Sequence, residues 1–511
     1  MSNLTRRSFL EMTVMAGAAL AIPGPNRAFA AEFRANELCY MSAQELIPLF
    51  RSTKLSPVEV LKAQIARYEG VGEKTNSVTY THFEEAMKQA QESETRYANG
   101  TARRLEGITV GVKDEHHDKG WIVTRGSKLL KDNKMDFVDP IVAKLKQDGA
   151  VLPLQTTVPE FYMSGVTWSK LWGVSRCPWN TNYSVGGSSG GSGGALAAGL
   201  CTLATGSDMG GSIRLPSAYN GLYGCKPSHG RVASSATLAY FSTTGPLARS
   251  FNDMVSLMNN MSGQTPHLPA TLQRLDLPHY YPSIKGFRIA YVGSMGLAHL
   301  DSDTKHGMTA AIADLRSAGA TVDDVDVKLG FDWQKMVEVF IGGVLAGSMG
   351  PGLSDVADQT DKMTSYAGYF AKKAASGAFG PKQAAEFEAF INSFYATISD
   401  AVFEQGYDAI VMPTLATPHV PADYDQTVEG FTVDGKGMHK TFILALAVPW
   451  NVLNWCPVVN VPTRLSSQGM PMGMQIIGKP YHDKKVFQIA HAYERVAPKL
   501  FVADRMPDFS S

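Results

Sequence analysis

Three short stretches carry the residues of this chain that could do covalent chemistry: "GVKDEHHDKG" from Gly111, "SVGGSSGGSGGALAAG" from Ser184 and "ATGSDMGGSIRLPSAYNGLYGCKPSHGRV" from Ala204. The second satisfies G-x-S-x-G twice, placing Ser189 and Ser192 where the nucleophile of an esterase elbow would stand. That elbow needs a hydrophobic strand before its serine, a helix after it, and an acid and a histidine downstream. An apolar helix follows, and His482 and His491 lie downstream, but "NTNYS" ahead of the run reads as polar and turn-like. An esterase on Ser189 is therefore kept as the alternative. A phosphate cradle fails because Ser192 stands where lysine is required, and the dinucleotide version fails at Leu196. A flexible linker does not suit a run flanked by segments that want burial. In the third stretch Ser212 follows Gly210-Gly211, so the backbone can turn sharply and aim several N–H groups at one point, as an oxyanion hole requires.

Taken together and in this order, the three stretches resemble the amidase signature family, most densely between Lys113 and Val232, with the Asp208–Arg214 core as the most specific part. The resemblance implies a Ser–Ser–Lys unit that uses no histidine, metal or cofactor and hydrolyses a carbon–nitrogen amide bond, with esters or carbamates as further candidates. Ser212 is then the nucleophile, and Ser188, after a cis Gly187–Ser188 bond, the bridging serine. Lys113 is the base. A lysine near pKa 10.4 is charged at neutral pH, so the base must be buried to be neutral, and the apolar "GITVGV" before Lys113 suits burial. The amides of Met209, Gly210, Gly211 and Ser212 would hold the oxyanion. Tyr162 falls where family members contact substrate. Asp208 and Arg214 are expected to pair and brace the loop, and Ser189 and Ser192 to be packing residues. The chain departs from many family members after its Lys-Asp pair, where it carries Glu115, His116 and His117.

The elements that must position these residues can be read from pattern. Ser42 and Ser56 open two helices with capping boxes, the second with proline at its first position. "GITVGVK" reads as a strand, and "PIVAKLKQDGAVLPLQTTV" as a helix, a glycine stop and a strand, together a βαβ-like unit. "GALAAGLCTLATGSD" reads as a buried small-residue helix followed by a turn. Further strands are expected at "FRIAYVG", "YDAIVMPT", "PVVNVPT" and "MGMQIIG", with helices between them. The fold class that follows is α/β, a mixed, mostly parallel central sheet covered by helices on both faces. Residues 31–511 form one domain, with a catalytic core over 100–235 and substrate-shaping helices over 329–440. Phe340, Met349, Tyr366, Tyr369 and Phe370 there could form an aromatic-accepting pocket or plain helix core. Ser302-x-x-Lys305 imitates another serine-hydrolase motif, but Ser302 or Asp303 is better read as a helix cap. His116 and His117 read as surface or supporting residues, since no third metal ligand stands at useful spacing.

The bulk properties narrow the partners. Lys plus Arg and Asp plus Glu both number 47, which gives no sign of a nucleic-acid partner. Five scattered cysteines without a CxxC pair argue against a disulfide framework or a zinc ribbon. Arg6-Arg7, the apolar run Met12–Ile22 and Ala28-Phe29-Ala30 form a twin-arginine export signal over residues 1–30. The run is shorter than the roughly twenty residues that span a bilayer, so no stable membrane insertion is expected after signal removal. A periplasmic or secreted enzyme acting on a small-molecule amide follows, with homo-oligomerisation left open. Export speaks against a tRNA-amidotransferase component, which shares the signature. A non-catalytic periplasmic binding protein is the rival from outside enzymology.

Overall fold

The computed structural model describes residues 35–509 except 234–239, 266–267, 269, 348, 429 and 503–504; the export-signal reading lies outside them. An eleven-stranded sheet runs through the molecule. Its strands are β1 (Val78–Thr81), β2 (Thr109–Lys113), β3 (Val151–Thr156), β4 (Leu203–Asp208), β5 (Tyr223–Lys226), β6 (Thr243–Ala248), β7 (Arg288–Tyr291), β8 (Thr321–Asp324), β9 (Ala409–Pro413), β10 (Val458–Leu465) and β11 (Pro471–Gly478). Their spatial order is β1-β3-β2-β4-β6-β5-β10-β11-β9-β7-β8.

Successive side chains on a strand point to opposite faces, and both faces here are buried. In β9, Ile410 and Met412 join one hydrophobic cluster while Ala409 and Val411 join another. Ile477 and Ile476 of β11 divide in the same way. The expected mixed sheet with helices on both faces is present. The expected parallel majority is not: parallel pairing is confined to β2 with β3 and β4, and to β7 with β8 and β9, while the other six pairings are antiparallel. The short connection from Leu465 at the end of β10 to Pro471 at the start of β11 reverses the chain without a crossover helix.

Local signals held well at helix starts. Ser42 and Ser56 both make full capping boxes, on Ala43–Arg51 and Pro57–Thr75. Three readings need correction. "TLATGSD" is strand β4 rather than a turn, because its small residues let β2 and β6 pair closely on either side. "NTNYS" is a strand, Asn180–Ser184, paired with Arg176–Cys177 in a small ribbon outside the main sheet. The cap of helix Ser302–Ser317 is Asp301, whose side chain accepts from Thr304 N, rather than Ser302 or Asp303. Among the described residues no helix is long and apolar enough to cross a membrane.

Candidate active site

Lys113 is the last residue of β2, and alternation sends it to the face opposite Val110 and Val112. Its amide donates to Thr205 Oγ1 on β4 at 3.0 Å, fixing the end of the strand. The side chain is fully buried, and its Nζ donates to Ser188 Oγ at 2.9 Å and to Ser207 Oγ at 2.7 Å. The Tyr162 ring lies over the same nitrogen at 5.1 Å. Tyr162 OH donates to the Asp114 carbonyl at 3.0 Å, so this tyrosine closes over the lysine.

The glycine–serine run explains itself by close packing. Helix Gly190–Ala197 is buried at every position. A Cβ on Gly191 would stand 2.2 Å from the Thr157 backbone nitrogen, which no side chain permits. Ser189 Oγ donates to the Ser207 carbonyl and accepts from the Ser207 amide, both at 3.3 Å. Ser192 Oγ donates to the Thr205 carbonyl at 2.8 Å. Both serines are occupied with backbone. His482 Nδ1 lies 2.9 Å from the Pro480 carbonyl, and His491 packs among Phe251, Tyr280 and Tyr281, so neither of these two histidines is engaged with Ser189. The Gly187–Ser188 peptide is cis.

The Ser212 loop runs from the end of β4 into helix Arg214–Asn220. Asp208 organises it: its carboxylate accepts from the amides of Gly211, Ile213 and Arg214 at 2.8, 3.1 and 3.3 Å, and from Asn451 Nδ2 at 2.9 Å. Arg214 Nε and Nη2 complete a bidentate pair at 2.9 and 2.8 Å, and both side chains are fully buried. Burial alone would raise the Asp208 carboxyl, but the Arg214 charge and hydrogen bonds outweigh it and hold the group far below the usual carboxylate range. The remaining Arg214 donors reach the Ala447 carbonyl, Gln475 Oε1 and Asn451 Oδ1 at 2.8, 2.7 and 2.6 Å. Gly211 has φ +112°, and a Cβ there would meet the Ala447 methyl at 2.6 Å. Its amide is committed to Asp208, so it is unavailable to an oxyanion, whereas Met209 and Gly210 sit half-exposed at the loop mouth.

These observations meet a family model. The model described as Amidase matches residues 59–350 and 351–487. The chain belongs to the amidase signature family. Among its relatives, a glutamyl-tRNA(Gln) amidotransferase component (the A chain of that enzyme) from a Geobacter species is 29% identical over 482 residues, 90% of this chain and 98% of that one. The structure of a bacterial aryl acylamidase of the amidase signature family matches with a TM-score of 0.81 at 25% identity, over 90% of this chain and 96% of that one. A 6-aminohexanoate cyclic dimer hydrolase complexed with substrate matches with a TM-score of 0.77 at 25% identity, over 90% and 98%. The chain is thus an amidase-family enzyme acting on carbon–nitrogen bonds.

Around the amidase site lie groups that the sequence reading missed or left open. Ser207 and Asn451 were missed; both are polar residues at buried positions, which was the available signal. His116 is buried rather than at the surface, with Nδ1 3.3 Å from Asp139 Oδ2, and His117 is buried against Phe137. Among the described residues no group of three or more His, Cys, Asp or Glu could hold a metal ion. Of the five candidate pocket residues, Phe340 approaches the nucleophile loop: a Cβ on Gly210 would stand 3.6 Å from its ring. Phe340 meets Phe241 edge-on at 5.4 Å, and Phe241 meets Phe387 at 4.6 Å. Tyr366 is instead spent on Glu160 N and the Trp168 carbonyl, and Tyr369 is exposed.

Proposed function

We propose that this chain is an exported amidase that hydrolyses linear amides with an aromatic group next to the scissile bond, through an acyl-enzyme on Ser212. The observation that carries the reading is the 2.9 Å contact between a fully buried lysine, Lys113, and Ser188 Oγ. Burial pushes the Lys113 amine down, toward the neutral form a base requires, while the Glu115, Asp208 and Asp114 charges resist. Neutral Lys113 accepts the Ser188 proton as Ser188 takes that of Ser212, whose Oγ attacks the amide carbonyl carbon. The amides of Met209, Gly210 and Ser212 hold the developing O⁻. The Lys113 ammonium then returns its proton through Ser188 to the leaving amine, and water hydrolyses the ester on Ser212.

Phe340 beside Gly210, backed by Phe241 and Phe387, supports an aromatic preference, in keeping with the aryl acylamidase likeness. The twin-arginine pattern supports export. The amidotransferase components among its relatives favour a second reading, in which the chain works inside a protein complex. Turnover of an aryl amide by the chain alone separates the two.

The deciding experiment treats the mature chain with a fluorophosphonate and maps the adduct by peptide mass spectrometry. An adduct on Ser212 that disappears in Ser212→Ala is expected. An adduct on Ser189 would make the protein an esterase, and ligand binding with neither label nor turnover would make it a binding protein.

A further inference from the structure

Two residues past Lys113, a tight turn closes: the Glu115 and His116 amides both reach back to the Lys113 carbonyl, at 2.6 and 2.9 Å. This turn brings the Glu115 side chain alongside the side chain that Lys113 projects from the end of β2. Glu115 Oε2 stands 3.2 Å from Lys113 Nζ and also accepts from Ser207 Oγ, which in turn accepts from Lys113. Lysine, serine and carboxylate thus form a closed triangle in a site where Lys113 is fully buried and the Glu115 side chain is 15% exposed. The Ser–Ser–Lys relay uses the lysine and leaves the carboxylate without a task.

We propose that Glu115 is a positioning residue that stores the Lys113 proton, so that the base becomes neutral by an internal transfer rather than by losing a proton to solvent. In the resting pair one proton is shared between an amine and a carboxylate. It passes from Nζ to Oε2, directly or by exchange through the Ser207 hydroxyl, which gives one proton and takes another. The products are a neutral amine and a neutral carboxylic acid, with no change in total charge or proton count. The amine then accepts the Ser188 proton, and that proton later leaves with the amine product. When the acyl-enzyme has been hydrolysed, the carboxylic acid can return its own proton to Nζ.

Every charged or titratable neighbour fits this exchange. Toward Lys113 lie Glu115, Asp208 and Asp114, of which Asp208 is committed to Arg214 and Asp114 to Thr124. Toward Glu115 lie Lys113, His116 and the Ser207 hydroxyl. His116 is itself paired with Asp139. The Tyr162 ring covers the triangle with its hydroxyl tied to Asp114, and Arg125 stands beyond it. Burial would raise the Glu115 carboxyl, but the Lys113 and His116 charges and the hydrogen bonds from Ser207 and Lys113 together outweigh it and hold it below the usual range. The pair therefore takes up a second proton only in acid, and until then one of its tautomers always offers a neutral amine.

The proposal rests on Lys113 being the base, and its test separates the two. The measurement is the pH profile of kcat/KM for an uncharged aryl amide without titratable groups, on the full mature enzyme. For the wild type, an acid limb at or below the range of unperturbed carboxylates, about pH 4, is expected. In Glu115→Gln the amine must shed its proton to water, so the limb should move up by about two pH units or more, toward the range of a buried lysine. Glu115→Asp, which keeps an acceptor, should hold the parent limb. A wild-type limb already in the lysine range overturns the proposal without any variant. So does a Glu115→Gln limb that stays in place or moves toward acid, or a Glu115→Asp limb matching that of Gln. Activity retained by Lys113→Ala would instead remove the base assignment itself.

Discussion

The Ser189 amide donates to the Ser212 carbonyl at 3.1 Å. The two serine-bearing loops are thereby joined one residue past the bridging serine, and Ser188 and Ser212 are held in fixed relation by backbone rather than by their own hydroxyls. A relay of this kind acts as a unit, so its losses should not add. Ser212→Ala and Ser188→Ala should each lower kcat by about 10⁴-fold or more, and the double variant should be little worse than either. Steady-state kinetics of the three variants on one aryl amide would check this; additive losses would mean independent roles.

The Asp208–Arg214 pair should dominate local stability. Removing one partner of a buried, hydrogen-bonded ion pair costs about 3–5 kcal/mol, because the other charge is stranded. Arg214→Met should therefore lower the urea midpoint sharply, and adding Asp208→Asn should recover part of the loss. A double variant less stable than the single would contradict the stranded-charge account.

Gly211 faces two demands at once, φ +112° and the Ala447 methyl at 2.6 Å from any added Cβ. Gly211→Ala should yield soluble protein with greatly reduced fluorophosphonate labelling, since the loop must shift away from its donors. Ala447→Gly removes the tightest contact but leaves Leu215 Cγ at 3.0 Å and the backbone penalty of about 1–3 kcal/mol, so the double variant should regain labelling in part. Full recovery would show that the methyl contact alone matters.

Phe340→Ala should separate substrates. Loss of the ring beside Gly210 is expected to reduce kcat/KM for an aryl amide by roughly 10–100-fold while changing that for a short aliphatic amide little. Equal losses on both would assign the ring to holding the loop rather than to recognising substrate.

A pH effect on stability should arise at His116. Burial would lower its imidazole, but Asp139 at 3.3 Å outweighs it and raises the pKa. A raised value in the folded state stabilises fully below the unfolded value of about 6.5 and loses that contribution as pH rises through the folded value. The melting-temperature gap between wild type and His116→Gln should thus be widest near pH 5.5 and shrink toward alkaline pH. A gap that widens with pH would reverse the sign of the interaction.

Much of this site was legible in the sequence because it is written locally. Capping boxes at Ser42 and Ser56, the glycines before Ser212 and the apolar strand leading to Lys113 act within a few residues of their own position. What escaped depends on topology. Asn451, on the short helix Pro449–Val452, and Gln475, on β11, meet Arg214 from more than two hundred residues away, and a polar residue in an apolar stretch does not say which distant partner it serves. β4 was mistaken for a turn because glycine and serine suit either state, and only its pairing with β2 and β6 decides. Glu115 was visible as an oddity, but its contact needed the turn that carries it back to Lys113.

The Arg214 contacts also set an order of assembly. The loop bearing Ser212 is latched to the Ala447 carbonyl and to Gln475 on β11, close to the C-terminal end of the chain. A polypeptide emerging from synthesis therefore carries its nucleophile long before it can aim it. Chemical competence arrives late, when the final strands dock, and a chain cut short before Pro471 would carry all three residues of the relay with the clamp behind its nucleophile unfinished.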